Sequence, residues 1–383
     1  MPFWTAEHEL LRDTARRFTE REIVPHLAAW EEAGEVPRAL HVSAAEHGLL
    51  GLGIPEDKGG EGGTLLDGIA AQEAMFDAGM SSGLAAALFT HGIALPHIVA
   101  RGGDHLIDRY VRPTLAGELI GALGITEPGG GSDVGALRTT AVRDGDAYVV
   151  NGAKTFITSG VRADFITTAV RTGGPGSGGI SLLVIDKDTP GLTVDRALAK
   201  MGWHCSDTAE LSFVDVRVPV SRLVGEENAG FAYIAEQFVV ERLGLAVHAY
   251  GIASRSLALT VAYCRDRATF GAPLVARQVV RHKLVEMRRQ VEVARTYTRA
   301  VAERYVADGL SADVIAEACL AKQTAVECAT HVCDEAVQLH GGTGYMHGVE
   351  VERHYRDARL LPIGGGATEV LTDLAAKLLG YTP

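Results

Sequence analysis

Positive charge is what this sequence has too little of. Thirty-six Lys and Arg stand against forty-eight Asp and Glu, a net charge of −12, and such a surface does not displace the counterions of nucleic acid. Cysteine is scarce too: five residues, an odd number spread over 383 positions, fit reduced thiols rather than a disulfide framework. No long apolar run stands out, because the most apolar window, Gly83–Ala100, is broken by Thr90, His91, Pro96 and His97. A membrane span is therefore not expected. The opening MPFWTAEHEL has no basic stretch ahead of an apolar one, so a secretory leader is not expected either and the cytoplasm is the expected compartment. G-x-x-x-x-G-K-[ST], H-E-x-x-H and a strand–GxGxxG–helix unit are all missing, which argues against a P-loop, a zincin site and a Rossmann fold. Cys328, His331 and Cys333 lie in one helical segment with no second ligand pair at suitable spacing. Small core residues account for them better than a metal does, and no metal is expected.

What is present is ordinary globular composition, 47% hydrophobic and 22% charged, enough to exclude wholesale disorder. At about 150 residues per domain the length suggests two to three domains. Residues 1–118 read as helical, with Thr5 as a cap, Glu7 and Glu9 in the first turn, and Leu11, Ala15 and Phe18 at helical spacing. Residues 119–228 change texture: Ala147–Val150, Phe165–Val170, Ile180–Ile185 and Glu210–Val218 are short strand-like runs. Asp144-Gly145 and Asn151-Gly152 read as hairpin dipeptides, Arg171–Gly179 as a flexible loop, and Pro219 as the end of the domain. Residues 229–383 return to helices at Phe231–Arg265, Val279–Asp308, Ser311–Leu339 and from about Thr368, an antiparallel four-helix bundle. The fold class is mainly α with a central, β-barrel-like domain.

Two segments carry candidate chemistry. Gly129-Gly130-Gly131, just after a β-run, allows close backbone approach to a ligand, and its N–H groups suit anionic or carbonyl oxygens. Lys154–Gly160 places an aromatic, Phe156, two residues before a hydroxyl, Thr158, a pair able to cover a planar ring and bond its edge from one strand face.

With these segments the sequence resembles the acyl-CoA dehydrogenase family over nearly its whole length. The markers occur in order: Ile125–Asp133 (ITEPGGGSD), Lys154–Gly160 (KTFITSG), Lys200–Thr208 (KMGWHCSDT), Leu211–Pro219 (LSFVDVRVP), Arg267–Gly271 (RATFG), Gln338–Tyr345 (QLHGGTGY) and Arg356–Ala358 (RDA). The resemblance implies three domains, FAD held between the β-domain and the bundle, and a homotetramer. It assigns Leu123, Ile125, Thr126, Gly131, Ser132, Phe156 and Thr158 to the flavin, with Thr126 at the pyrimidine edge, Phe156 against the ring and Thr158 at N5. Arg267, Thr269, Phe270, Gln278, Gln338 and Gly342 match adenine and pyrophosphate contacts made from a neighbouring subunit, and Glu369 is grouped with the cofactor residues. Arg267 suits a phosphate because its planar fork meets two oxygens. Ser132, Arg242 and Gly366 match positions that touch the substrate.

The departures are as informative. Many members carry a catalytic glutamate in Tyr-Glu-Gly-Thr before the last helix, where this chain has Gly364-Gly365-Gly366-Ala367. Ala367 also replaces a common Thr, Gly348 an acidic or amide residue, and His204 an Arg. A carboxylate elsewhere is Glu241, on the stripe of Ile234, Phe238, Leu245 and Ala249. Desolvation there raises its pKa toward a useful base, although with Arg242 adjacent the pattern by itself favours a structural ion pair. Glu241-Arg242 matches the pair that isovaleryl- and long-chain-type dehydrogenases use, which favours Glu241 as the base, with Gly365 keeping a backbone N–H for the thioester oxygen. The expected function is FAD-dependent α,β-desaturation of an acyl-CoA, with electrons passed to an electron-transfer flavoprotein. The alternatives are an acyl-CoA oxidase-like flavoenzyme and a non-catalytic flavin- or acyl-CoA-binding protein. No nucleic acid or membrane partner is expected, and Gly364 and Gly365 suggest a roomier pocket favouring bulky acyl chains.

Overall fold

The computed structural model describes residues 3–381. Thr5 opens α1 (Ala6–Phe18), its hydroxyl accepting from the His8 N–H while the His8 ring returns to the Thr5 N–H. This is a reciprocal cap built with histidine in the place of the usual acid. Helix α1 packs on α2 (Leu65–Ala78), whose Ile69, Ala70, Ala74, Met75 and Phe76 are buried.

The central domain is one seven-stranded sheet. Its strands are β1 (Gly121–Gly124), β2 (Thr140–Asp144), β3 (Ala147–Thr158), β4 (Phe165–Arg171), β5 (Ile180–Asp186), β6 (Leu192–Ala197) and β7 (Thr208–Pro219). The order is β1-β4-β2-β3-β7-β6, with β5 added on β4, an open path rather than a closed barrel. Asp144-Gly145 does open the β2–β3 hairpin, with Gly145 at φ +66°. Asn151-Gly152 does not turn the chain. It lies inside β3 at a register shift, where the Asn151 amide pairs with Asp215 of β7 and a Cβ at Gly152 would meet Thr139 Oγ1 at 2.5 Å. The dipeptide is a bulge packed against a neighbour. The glycine-rich segment after β4 is tied down as well, since Arg171 donates to the carbonyls of Gly135, Leu137, Gly174 and Gly176.

Three long helices follow: α3 (Gly230–Asp266), α4 (Gln278–Asp308) and α5 (Ala312–His340). Each runs antiparallel to the one before it, with α7 (Thr368–Leu378) on α5 as the fourth member. A further short helix, α6 (Glu350–Ala358), packs on α3 and α5. Helix α3 is long and apolar enough to cross a membrane by length and composition, but 61% of its apolar window is buried inside the fold. That apolarity builds the bundle core, as the buried Leu243, Ala246, Val247, Ala249 and Tyr250 demonstrate. Cys328 and Cys333 are buried in α5, and burial pushes both thiols up to about 12.

Candidate active site

Thr126 is the best-anchored of the residues the sequence singles out. Its carbonyl accepts from the Thr155 N–H at 2.8 Å, which ties the loop after β1 to β3. On either side of it, the carbonyl of Ile125 and the carboxylate of Glu127 take the Lys154 ammonium at 3.0 and 2.9 Å. Glu127 also accepts from the Arg138 and Thr139 N–H groups. Burial pushes its carboxyl up, but Lys154 and these N–H donors outweigh that and hold it below the ordinary glutamate range. Sequence reasoning quoted Glu127 and Lys154 inside motifs without giving them a task. Their signal was two opposite charges flanked by buried β-residues, a position that charges occupy only as a pair.

Past Glu127 the chain turns through Gly129 and Gly130, where an added Cβ would meet nothing within 4 Å. Gly131 and Ser132 are exposed, Leu123 and Ile125 half-buried. Phe156 and Thr158 do point away from the core, but not by simple strand alternation. Register shifts between Lys154 and Ile157, and Phe156 sits at φ +58°. That bulge buries both Lys154 and Thr155 and leaves the Phe156 ring 67% exposed beside the half-buried Thr158. A large aromatic held outward on a left-handed backbone is an outlier of the kind that clusters at ligand-binding sites.

Glu241 and Gly365, far apart in sequence, meet in the fold. Gly365 has φ +61°, in the left-handed region, and a Cβ built on it would lie 3.3 Å from Glu241 Oε1 and 2.2 Å from Leu245 Cδ1. Glu241 and Leu245 of α3 therefore fill the space a side chain at 365 would take. The roomier pocket expected from Gly364 and Gly365 is therefore not formed at Gly365, and at Gly364 a Cβ would stand in ordinary contact with Leu360, at 3.8 Å. Among the described residues Glu241 has no salt bridge within 4.0 Å, so the ion pair with Arg242 does not form. Burial pushes its carboxyl up, with Lys322 and Arg242 pulling the other way. Arg242 is buried, its Nε lacks a partner, and its guanidinium lies 5.4 Å from the Phe238 ring centre. Lys322 of α5, which the sequence reading passed over, donates to the carbonyls of Gly364 and Gly366. The Gly365 N–H has no acceptor among the described residues.

The third group gathers at the far end of the bundle. Arg267, Thr269 and Phe270 lie on a small hairpin, β8 (Ala268–Thr269) with β9 (Ala272–Pro273); Gln278 opens α4, and Gln338 and Gly342 flank the end of α5. Tyr263 stacks on His340 at 4.3 Å, which brings the ends of α3 and α5 together. Phe270 is 100% exposed, and Arg267 makes no salt bridge among the described residues. Glu369 is exposed in the first turn of α7, and Gly366 at φ +99° leans on Leu371.

The exposed ring of Phe156, the hydroxyl of Thr158 and the open backbone at Gly129 and Gly130 fit a flavin. Three family models match in series: acyl-CoA dehydrogenase N-terminal domain over residues 5–118, middle domain over 122–216 and C-terminal domain over 228–380. The pig (Sus scrofa) mitochondrial long-chain specific acyl-CoA dehydrogenase is 36% identical over 98% of this chain and 86% of its own. The crystal structure of a probable acyl-CoA dehydrogenase from Mycobacterium abscessus superposes with a TM-score of 0.97 at 62% identity, covering 99% of this chain and 100% of that one. Butyryl-CoA dehydrogenase from Megasphaera elsdenii gives a TM-score of 0.93 at 32% identity over 99% and 100%. Fold and cradle together define an FAD-dependent oxidoreductase. The chain belongs to the acyl-CoA dehydrogenase family.

Proposed function

We propose that this protein desaturates an acyl-CoA thioester between its α- and β-carbons, with Glu241 as the base that takes the α-proton. The observation that carries the reading is the unpaired Glu241 carboxylate lying where a side chain at Gly365 would project. FAD, when bound, supplies the acceptor for the β-hydride. Every other requirement falls on the chain. An α-carbon is a far weaker acid than a carboxylic acid, so a base with raised proton affinity narrows the mismatch. Charge that develops at the thioester oxygen needs an oriented donor, and the free Gly365 N–H is available for it. Phe156 and Thr158 hold the ring face and edge, Thr126 its pyrimidine side, and Arg242 and Ser132 the substrate. Electrons then leave to an electron-transfer flavoprotein.

The end of the bundle bears on assembly. From Glu241 to Arg267 along α3 is 26 residues of 1.5 Å rise, about 39 Å. The family resemblance assigns Arg267, Phe270, Gln278 and Gln338, at that far end, to the cofactor of a second copy within a homotetramer.

Anaerobic mixing with a panel of acyl-CoAs tests the reading: bound flavin bleaches with a thioester substrate, and mass analysis of the released cofactor gives FAD. Absence of bleaching with every chain length would leave only a binding protein. Rapid oxygen consumption during turnover would instead make it an oxidase. Within the panel, isovaleryl-CoA or a long straight chain is expected to exceed butyryl-CoA in kcat/KM, because Gly364 carries no side chain and nothing stands closer than 3.8 Å to where one would begin. A clear butyryl preference would count against that assignment of space.

A further inference from the structure

The loop Gly364-Gly365-Gly366 lacks any side chain of its own to hold it, yet its central amide is asked to meet a substrate oxygen. Lys322 reaches it from α5. The lysine is 1% exposed, and its ammonium donates to the carbonyl of Gly364 and, at 2.7 Å, to that of Gly366. In a planar trans peptide the C=O of one residue and the N–H of the next point in opposite directions. Drawing the Gly364 carbonyl toward Lys322 therefore turns the Gly365 N–H away from it, and that N–H finds no acceptor among the described residues. The groups around the ammonium are few. Glu241 and Arg242 face it from α3, Cys319 lies one turn back on α5, and the loop contributes only carbonyls.

We propose that Lys322 is the positioning residue of the oxyanion site: by gripping the carbonyls of Gly364 and Gly366 it aims the Gly365 N–H at the thioester oxygen. The inference rests on the reading of Glu241 and Gly365 given above. Burial holds the lysine down at about 8, with Glu241 supporting its charge, and the same interaction works on Glu241 in reverse. A buried cation that contacts only carbonyls has uncompensated charge to direct at that carboxylate.

The test replaces Lys322 and reads the substrate carbonyl directly. Oxidised holoenzyme is loaded with 2-octenoyl-CoA carrying ¹³C at the thioester carbonyl, and the infrared frequency of that carbonyl reports its hydrogen bonding without turnover. In Lys322→Met the frequency is expected to return at least halfway to its value in water-free solvent. Flavin reduction should slow by about 10²-fold at little-changed KM, the size of effect seen when one oxyanion donor is lost. The low-pH limb that reports Glu241 should move up by about one unit. Lys322→Gln, which keeps a donor but no charge, should move the pH limb as far and the carbonyl less. A carbonyl frequency and pH limb identical to wild type in a folded, FAD-loaded variant overturn the assignment, as does failure of both variants to fold, which would make Lys322 a folding residue. Glu241→Gln in the same assay separates the two readings. If it reduces its flavin at the wild-type rate, the base assignment falls; if it is slow while the Lys322 variants match wild type, only the role of Lys322 falls.

Discussion

Glu241→Gln is expected to retain its FAD and its melting temperature and to lose flavin-reduction rate by about 10²–10⁴-fold, the usual worth of a positioned general base, or roughly 3–5 kcal/mol of barrier. The change is nearly isosteric, and the carboxylate it removes has no salt bridge to lose. A stability loss at unchanged rate would mark Glu241 as structural instead. The pH profile gives an independent check. A base must be deprotonated to act, and burial raises this carboxyl above its ordinary value of 4.5. The rate should therefore fall as pH drops through that raised value, and the limb should vanish in Glu241→Gln. Moving the carboxylate to the position common in the family, Gly365→Glu in a Glu241→Gly background, should recover little. Leu245 Cδ1 would sit 2.2 Å from the new Cβ, and the backbone there is left-handed at φ +61°. Leu245 has to swing aside and the residue has to tolerate strain, and an ångström of misplacement can remove about a hundredfold in rate.

That geometry also marks where sequence reasoning reached and where it stopped. The long helices were legible to within a residue or two, because apolar residues at helical spacing over 29 to 37 residues leave no other reading. Glu241 was legible by the same logic, as a carboxylate on an apolar stripe. Strands β2 and β6 were not, since each is six residues or fewer and most of its residues are exposed. The same short range misled at Asn151-Gly152, where a dipeptide that usually turns a hairpin instead bulges against a strand from sixty residues later. Helix α6 was hidden by its composition, four of whose nine residues are buried although charge dominates it. Contacts between distant segments were the hardest. Nothing local tells Lys322 that its ammonium will meet carbonyls of the glycine turn, or Leu245 that it will fill the space at Gly365. Both follow only from α3 and α5 lying side by side.

Lys154→Met is expected to be the most destabilising single change near the flavin segment. Lys154 is 0% exposed, and its ammonium joins Glu127, itself nearly buried, to the carbonyl beside Thr126. Removing one member of such a pair leaves the other charge buried, a loss on the order of 3–5 kcal/mol. Methionine fills the volume but offers no donor, so Glu127 keeps only the Arg138 and Thr139 N–H groups. The melting temperature should fall, and FAD should be lost more readily because the Ile125–Glu127 segment is no longer drawn onto β3. Acid should act in the same sense on the wild type. Glu127 titrates below its ordinary value in the folded state, so the stability it contributes is complete above that ordinary value and is lost as pH falls through the depressed one. A double variant, Lys154→Met with Glu127→Gln, should recover part of the loss, because no unpaired charge then remains and the amide oxygen can still accept an N–H. Melting temperature and bound FAD, measured on all three variants, decide it. A single variant that melts and binds FAD like wild type would mean that the Thr126 loop is held by the Thr155 N–H and by the Arg138 and Thr139 N–H groups on the Glu127 carboxylate alone.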